Sequence, residues 1–385
     1  LEEILPFIEG PLLGEHENEE YMKPAISKTT ASVFEHCCLA IDKSLTKGAH
    51  GLPLMGIGDW NDGMSRIGRE GKGESVWMGF FLFTILNRWI PLCRTRGEDV
   101  RVRNYTAYRD ELLVAINDAG WDGEWYRRAY YDDGTPLGTH TDDECRIDAL
   151  AQAWAVISKA APADRAEKSL DSLVRELVDP EHDIIRLLHP PFVNTPHDPG
   201  YIKGYLAGVR ENGGQYTHAA CWVVRAMAEA GRTDEAARFL QRLSPIWHSR
   251  DAAAVAIYQT EPYVVAADIY GAEPHIGRGG WTWYTGSAGW YFRVAVESVL
   301  GLRVENGDTL VLDPRVPEGW PGFSIDYRTP SGRTLHRIEV VNAGGAGNLE
   351  VDGKPVALTD GVARWNLMDD GTEHRVLLTL QRANN

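Results

Sequence analysis

Two aspartates stand in one glycine-rich loop of this 385-residue sequence, GIGDWNDGM at residues 56–64. Asp59 and Asp62 lie on either side of Trp60 and its neighbour. Cleavage of a glycosidic bond needs a carboxylic acid that protonates the departing oxygen, and an aromatic ring can hold the sugar by stacking. Aspartates in such a loop also serve as helix caps and turn formers. The motif by itself leaves these two interpretations equal.

A second cluster, VRENGGQYTHAACW, carries Glu211 and His218 on either side of a Gly-Gly turn. The pattern predicts that His218 stands at the mouth of a helix, where a histidine can meet an anion that also accepts backbone N–H bonds. A lone histidine in this position more often has a structural role. This cluster therefore supports an anion-binding site only when it is considered together with the other clusters.

A third cluster, RGGWTWYTGSAGWYFR, places Thr285 and Gly286 just before a predicted helix that begins near Ser287. A hydroxyl group, a small residue and free N–H groups at a helix start suit a phosphate pocket, although no lysine follows as in a P-loop. The alternative is an ordinary helix cap, with glycines that let the tryptophans pack closely. Considered by itself, this cluster favours an ordinary helix cap over a phosphate pocket.

The three clusters together suit phosphorolysis better than hydrolysis. An inverting hydrolase needs a second carboxylate to activate water, whereas phosphate is an anionic nucleophile already. One acid and one anion pocket therefore suffice for a phosphorylase. We predict inorganic phosphate as a co-substrate and no further cofactor or metal.

Composition and missing motifs argue against several other classes. The net charge of -16 is unsuited to a broad surface for nucleic acid or an anionic membrane. The sequence lacks GxSxG, HExxH, EF-hand, GxGxxG and CxxC motifs, and its five cysteines suit reduced, buried thiols. No uninterrupted apolar run reaches the roughly 18 to 20 residues of a membrane span. We predict a cytoplasmic location without membrane insertion by this segment, either free or as the cytosolic part of an inner-membrane protein.

Helical periodicity predicts the elements that must position these loops. Strongly apolar helices alternate with half-polar ones, as the inner and outer rings of an α/α toroid require. After residue 301 the pattern changes to period two with turn signals, which predicts a small antiparallel β domain. We therefore predict a toroid domain at 1–301 and a β domain at 302–385. The predicted helices are 27–47, 75–93, 99–119, 147–159, 162–177, 218–230, 233–243 and 287–300.

The amino-acid sequences of the three clusters resemble those of glycoside hydrolase family 94 phosphorylases, which act on cellobiose, chitobiose and 1,2-β-glucans. Within the family it particularly resembles the C-terminal domain of cyclic β-1,2-glucan synthases. The segments HGLPLMGIGDWNDGM, HDPGYIKGYLAGVRENGGQYTHAACW and EPYVVAADIYGAEPHIGRGGWTWYTGSAGWYFR occur in the family order, and the resemblance covers nearly the whole chain. It implies an (α/α)6 toroid followed by a β domain.

The resemblance also implies roles for individual residues. Asp62 would be the general acid, and Trp60 would line the donor-sugar site. Glu211 would bind sugar, and we add Asp59 as a predicted substrate contact. The phosphate contacts would be His218, Thr285 and Gly286.

The implied reaction is inverting phosphorolysis of a β-linked glucoside, most directly a β-1,2-glucan chain, with α-glucose 1-phosphate as product. Family members also carry an N-terminal β-sandwich and the first toroid helices, and this sequence begins with Leu1 in what reads as the middle of a longer chain. We therefore expect the missing parts to come from the same polypeptide. The alternatives are a cellobiose-type disaccharide phosphorylase, a non-catalytic module that binds or gauges glucan, and a hydrolase.

Overall fold

The computed structural model describes residues 1–14, 20–342 and 347–380. The chain divides into two compact units. Unit 1 comprises 1–176, 188–207 and 211–213, and unit 2 comprises 177–187, 208–210 and 214–385. The predicted boundary after residue 301 and the toroid arrangement stay predictions, and 343–346 and 381–385 of the predicted β domain lie outside the described residues.

The helices lie close to the predicted positions. Their apolar and half-polar members alternate as expected, since α2, α4 and α6 are largely buried whereas α3 is mostly polar. In unit 1, α2 packs against α3 and α4, and in unit 2, α6 packs against α7 and α9. The helices are α1 Val33–Ser44, α2 Val76–Thr95, α3 Asp99–Asp118, α4 Ala149–Ile157, α5 Ala163–Leu177, α6 Thr217–Glu229, α7 Thr233–Arg242, α8 Ala252–Tyr258 and α9 Ser287–Arg293.

Helix α2 passes a length and composition test for a membrane span, and among the described residues it alone does so. Half of the tested window is buried inside the structure, where the helix packs against α3 and α4. Core helices of this length pass the same test. The helix is therefore weak evidence for a membrane segment.

Very short strands lead directly into three of the buried helices. Glu74–Ser75 runs into α2, Ile147–Asp148 into α4 and Gln215–Tyr216 into α6. Because each strand pairs with another segment, the helix starts and the loops beside them are fixed together. The pairs are Glu74–Ser75 with Ala129–Tyr130, Ala129–Tyr130 with Pro136–Leu137, Ile147–Asp148 with Leu188–His189, Val178–Asp179 with Ile184–Ile185, and Gln215–Tyr216 with Asp268–Ile269.

The first predicted helix was wrong in its N-terminal part. Residues Ala25–Ser32 form a strand that pairs antiparallel with Ile4–Glu9, and α1 begins only at Val33. The threonines and serines at 27–32 favour strand over helix when a partner strand is available. Ser32 then caps α1 by accepting a hydrogen bond from the Glu35 N–H at 3.2 Å.

Gly120 directly follows the third predicted helix, and a glycine in this place predicts a left-handed cap. That prediction is wrong, since Gly120 does not have a positive φ. A Cβ at this position would lie 2.3 Å from the carbonyl oxygen of Ile116. Glycine is required here by the close approach of the chain to the end of α3. The sequence pattern located the helix end correctly and assigned the wrong reason for the glycine.

The C-terminal strands form two sheets in unit 2, of three and five strands. Most neighbours are antiparallel as predicted, but Leu335–Val341 pairs parallel with Glu373–Thr379. The prediction of a purely antiparallel domain was therefore wrong for this pair, because alternation of side chains does not encode strand direction. The strands are Leu302–Glu305, Thr309–Leu312, Gly322–Arg328, Leu335–Val341, Asn348–Val351, Lys354–Val356, Ala363–Asn366 and Glu373–Thr379.

Candidate active site

The GDWND loop belongs to unit 1 and connects α1 to α2. Gly58 adopts a φ of +134°, and a Cβ added there would lie 3.1 Å from the Cα of Asp62. The tight turn therefore needs glycine, and Asp62 projects from it as an exposed residue. Trp60 is half-buried in the same loop. Its predicted contact with a donor sugar stays a prediction.

The structure brings a tyrosine and a second carboxylate to Asp62. The hydroxyl of Tyr201 lies close enough to the Asp62 carboxylate for the two groups to interact electrostatically. Partial burial, followed by the charges of Asp62 and Glu211, raises the pKa of Tyr201 far above its ordinary value. Glu211 itself is only 6% exposed. Unit 1 thus gathers an exposed carboxylate, a phenol and a buried carboxylate at one point.

Sequence analysis missed Tyr201 as a site residue. It lies in the segment HDPGYIKGY, which was used only for the family resemblance. A signal was available in the Pro-Gly that precedes it, since such a turn brings a chain close to another segment. Which segment it approaches depends on the tertiary fold.

Backbone contacts hold the Tyr201 segment against the GDWND loop. The N–H of Ile202 donates to the carbonyl of Gly63 at 2.8 Å, and that of Arg66 donates to the carbonyl of Pro199 at 3.3 Å. Gly200 has a φ of +116°, and a Cβ there would lie 2.4 Å from a backbone nitrogen of the loop. The close approach is possible because this residue is glycine.

Asn212 fixes the loop that carries Glu211. Its fully buried side chain accepts from the Phe192 N–H at 2.7 Å and donates to the carbonyls of Phe192 and Tyr205, both at 2.9 Å. All of these residues belong to unit 1. The carboxylate of Glu211 is therefore held on a loop with little freedom to move.

The carboxylate of Asp59 is bound by other groups of the protein. Its side chain is fully buried, and Arg128 donates to its two carboxylate oxygens at 2.6 and 2.7 Å. Ser75 donates to it at 2.6 Å, and the backbone N–H of Asn61 at 3.0 Å. Although burial opposes the charged form, Arg128 holds the pKa of Asp59 below its usual range. These contacts favour a positioning role, and the predicted contact with substrate stays untested.

In unit 2, His218 is the second residue of α6 and lies among aromatic rings. Its ring is 5.7 Å from that of Trp290 in a stacked orientation and 4.4 Å from that of Trp222 at a steep angle. Burial lowers the pKa of His218 to about 4. The imidazole is therefore neutral at neutral pH and can offer a hydrogen bond but not a positive charge.

Thr285 and Gly286 lie at the start of α9, the helix that carries Trp290. Thr285 Oγ1 accepts from the Ser287 N–H at 3.1 Å and lies 2.6 Å from the Ser287 hydroxyl. Gly286 is the N-cap of α9 and no side chain caps the helix, so Thr285 makes a local turn directly before the cap and not the cap itself. The same unit also brings His218 to α9 through the stacked Trp290, so the three predicted phosphate residues share one neighbourhood. Their phosphate role stays a prediction.

The tryptophans of this chain differ in their exposure. Trp125 and Trp154 are buried core residues, whereas Trp281 and Trp283 are 54% and 71% exposed. Trp283 has a φ of +67°, an unusual backbone conformation for a bulky residue. The exposed pair lies within four residues before Thr285 in the sequence.

Replacing Gly200 by alanine should destabilise unit 1, because the new Cβ would meet the neighbouring backbone and φ would be strained. We expect the free energy of unfolding to fall by about 1–3 kcal/mol. Gly204→Ala is the matched control, since a Cβ there meets nothing within 4 Å. Urea denaturation of both variants measures the difference. Equal losses would contradict the packing described here.

The low pKa of His218 gives a pH dependence of stability. Between about pH 6.5 and 4 the unfolded chain binds a proton at this residue that the folded chain does not bind, so stability falls as pH falls. His218→Gln removes this contribution. We expect wild type to lose its stability relative to the variant as urea denaturation is repeated from pH 7 to pH 4.5. A constant difference would contradict a buried neutral imidazole.

Comparisons with known proteins identify the family of this chain. Residues 12–301 match the family model described as glycosyl hydrolase 94 superfamily, catalytic domain. The cyclic beta-(1,2)-glucan synthase NdvB of Rhizobium meliloti (strain 1021) is 49% identical over 88% of this chain and 12% of its own length. The 3-O-beta-D-glucopyranosyl-beta-D-glucuronide phosphorylase of Paenibacillus borealis is 34% identical over 83% of this chain and 41% of its own.

The chain therefore spans an eighth of one relative and about two fifths of the other. A solved structure named sialidase has a similar fold, with a TM-score of 0.53 at 14% identity over 76% of this chain and 26% of that one. That likeness concerns the fold alone. The family match and the two sequence relatives confirm the resemblance noted in the motifs, and the chain belongs to glycoside hydrolase family 94.

Proposed function

We propose that the complete polypeptide containing this chain cleaves β-1,2-linked glucosyl residues by phosphorolysis with inversion, releasing α-glucose 1-phosphate. The proposal depends on one observation: the exposed carboxylate of Asp62 lies near the phenol of Tyr201 and the buried Glu211. An acid positioned on a rigid loop suits protonation of a departing sugar oxygen.

The relatives support phosphate chemistry on a β-glucan. One is named a cyclic beta-(1,2)-glucan synthase, and another a glucuronide phosphorylase. A third, the 1,2-beta-oligoglucan phosphorylase of Listeria innocua, is 25% identical over 84% of this chain and 30% of its own length. The β-1,2 linkage is shared by two of these names, which is the reason for our choice of substrate.

The reaction balances with phosphate as the only co-substrate. A phosphate oxygen forms a bond to the anomeric carbon as the glycosidic bond breaks on the opposite face. The electron pair of that bond goes to the departing oxygen, which takes the proton of the Asp62 carboxylic acid. In the reverse direction the Asp62 carboxylate accepts a proton from the attacking sugar hydroxyl. No metal or redox cofactor is part of the proposal.

The remaining residues have binding roles in this proposal. Trp60 and Glu211 contact the glucosyl residue that is transferred. His218 offers phosphate an N–H group from its neutral ring, and Thr285 and Gly286 offer a hydroxyl and backbone N–H groups. The negative charge of phosphate is then met by hydrogen bonds from these residues and by charges elsewhere in the complete protein.

The proposal also concerns the rest of the polypeptide and its location in the cell. We propose that the first toroid helices and an N-terminal β-sandwich are supplied by the same polypeptide, as the coverage of the relatives allows. We propose a cytosolic location for this segment. Neither nucleic acid nor direct membrane insertion enters the proposal.

Asp62→Asn should abolish most turnover while the fold is kept, because the amide cannot supply the proton. We expect kcat for phosphorolysis of 1,2-β-glucooligosaccharides to fall by about 10²–10⁴-fold. The assay measures glucose 1-phosphate with and without inorganic phosphate, using the complete polypeptide. Asp326→Asn, at an exposed position in a C-terminal strand, is the matched control and should keep its activity.

Three outcomes would contradict the proposal. A preference for cellobiose over the 1,2-linked oligomers would indicate a cellobiose-type phosphorylase. Release of glucose without phosphate would indicate a hydrolase. Sugar binding with no turnover in the presence of phosphate would indicate a non-catalytic glucan-binding module.

A further inference from the structure

Arg128 has no exposed surface, and its guanidinium lies between two equally buried aspartates. Two of its N–H groups form the fork that holds Asp59, and its Nε donates to Asp148 Oδ2 at 3.1 Å. All three nitrogens of the guanidinium donate to these two carboxylates. A direct contact between Arg128 and a substrate is therefore excluded by its burial.

The cluster joins three separate segments of unit 1. Asp148 caps α4 by accepting from the Leu150 N–H at 2.7 Å. Ser75 caps α2 by accepting from the Met78 N–H at 3.0 Å, and its hydroxyl donates to Asp59. Asp59 is the member that lies in the GDWND loop. The loop is thus tied to the starts of two buried helices.

The charges in the cluster are unequal. One guanidinium serves two carboxylates, and the bidentate contact is made with Asp59. Burial raises the pKa of Asp148 to about 6, while Arg128 keeps the pKa of Asp59 low. The Arg128–Asp59 pair therefore stays charged across the range in which Asp148 titrates, and it is the stronger link of the cluster.

The position of Asp59 determines the path of the chain towards Asp62. Asp59 Oδ1 accepts from the N–H of Asn61, and the carbonyl of Asn61 accepts from the Met64 N–H at 3.1 Å. The first bond closes a turn directly before Asp62, and the second closes a turn that contains Asp62. A shift of the Asp59 carboxylate would therefore move Asp62 relative to Tyr201.

We propose that Arg128 is a positioning residue for Asp62, which it acts upon through Asp59. The proposal rests on the proposed function of Asp62 as the general acid. Arg128 does not touch the substrate. Arg128 determines the position of the Asp62 carboxylate. Its effect on catalysis must therefore disappear when Asp62 can no longer act as an acid.

A double-mutant cycle in the complete polypeptide tests this dependence, with 1,2-β-glucooligosaccharide and inorganic phosphate as substrates. We expect Arg128→Met and Asp59→Asn each to lower kcat by about 100-fold, with little change in the KM of the oligosaccharide. Combined with Asp62→Asn, neither change should lower the remaining rate further. A full additional loss in the double variants would overturn the proposal.

Two further variants separate positioning from a merely structural effect. Arg128→Lys keeps the charge without the fork and should lie between wild type and Arg128→Met. Arg127→Met is the matched control, since the Arg127 side chain donates to the carbonyls of Ala119 and Trp121 instead of the loop. It should keep kcat. An equal loss of kcat in this control would overturn the proposal.

A spectroscopic measurement distinguishes this inference from the proposed function. The 13Cζ resonance of Tyr201, assigned with Tyr201→Phe, reports the proximity of the Asp62 carboxylate. In Arg128→Lys and Asp59→Asn it should move in the direction seen in Asp62→Asn, and an unmoved resonance would overturn the inference. If Asp62→Asn keeps its activity, the proposed function fails whatever the resonance shows.

Discussion

The requirement that buried charges be paired determines the geometry of unit 1. Arg128, Asp59 and Asp148 have fully buried side chains, so each depends on the others for its charge to be tolerated. Removing one partner from such a pair typically destabilises a protein by about 3–5 kcal/mol. A loop tied to this cluster has one strongly preferred position. That loop carries Asp62.

Close backbone packing reinforces the same position. Gly200 allows the Tyr201 segment to approach the Asp62 loop at distances that a Cβ would prevent, and Gly58 allows the tight turn within the loop itself. Tyr201 then lies beside Asp62, the candidate acid. Catalytic groups generally need such support, because a displacement of about 1 Å can reduce a rate strongly.

The features that the sequence predicted are those that depend on local residue patterns. Helix positions were predicted from apolar periodicity, and Asp62 was predicted as the acid from its motif and the family resemblance. The strand at Ala25–Ser32 was missed because its pairing with an earlier strand outweighs local helical spacing. The parallel strand pair was missed because period two carries no direction.

The other features of the site could not be predicted from the sequence because they depend on long-range contacts. Arg128 and Asp59 are 69 positions apart, and nothing in either motif indicates that they pair. Tyr201 is still further from Asp62 along the chain. By contrast, the turn in which Thr285 accepts from the Ser287 N–H is local, and the sequence pattern correctly placed it just before a helix. Residues that act through tertiary contacts therefore require the fold before their roles can be assigned.

The most direct test of the account is a crystal structure of the Arg128→Met variant of the complete polypeptide. The account predicts that α2 and α4 keep their places while the loop at 58–63 shifts and Asp62 moves relative to Tyr201. An unchanged loop with Asp62 in its present place beside Tyr201 would contradict the dependence of Asp62 on the buried arginine.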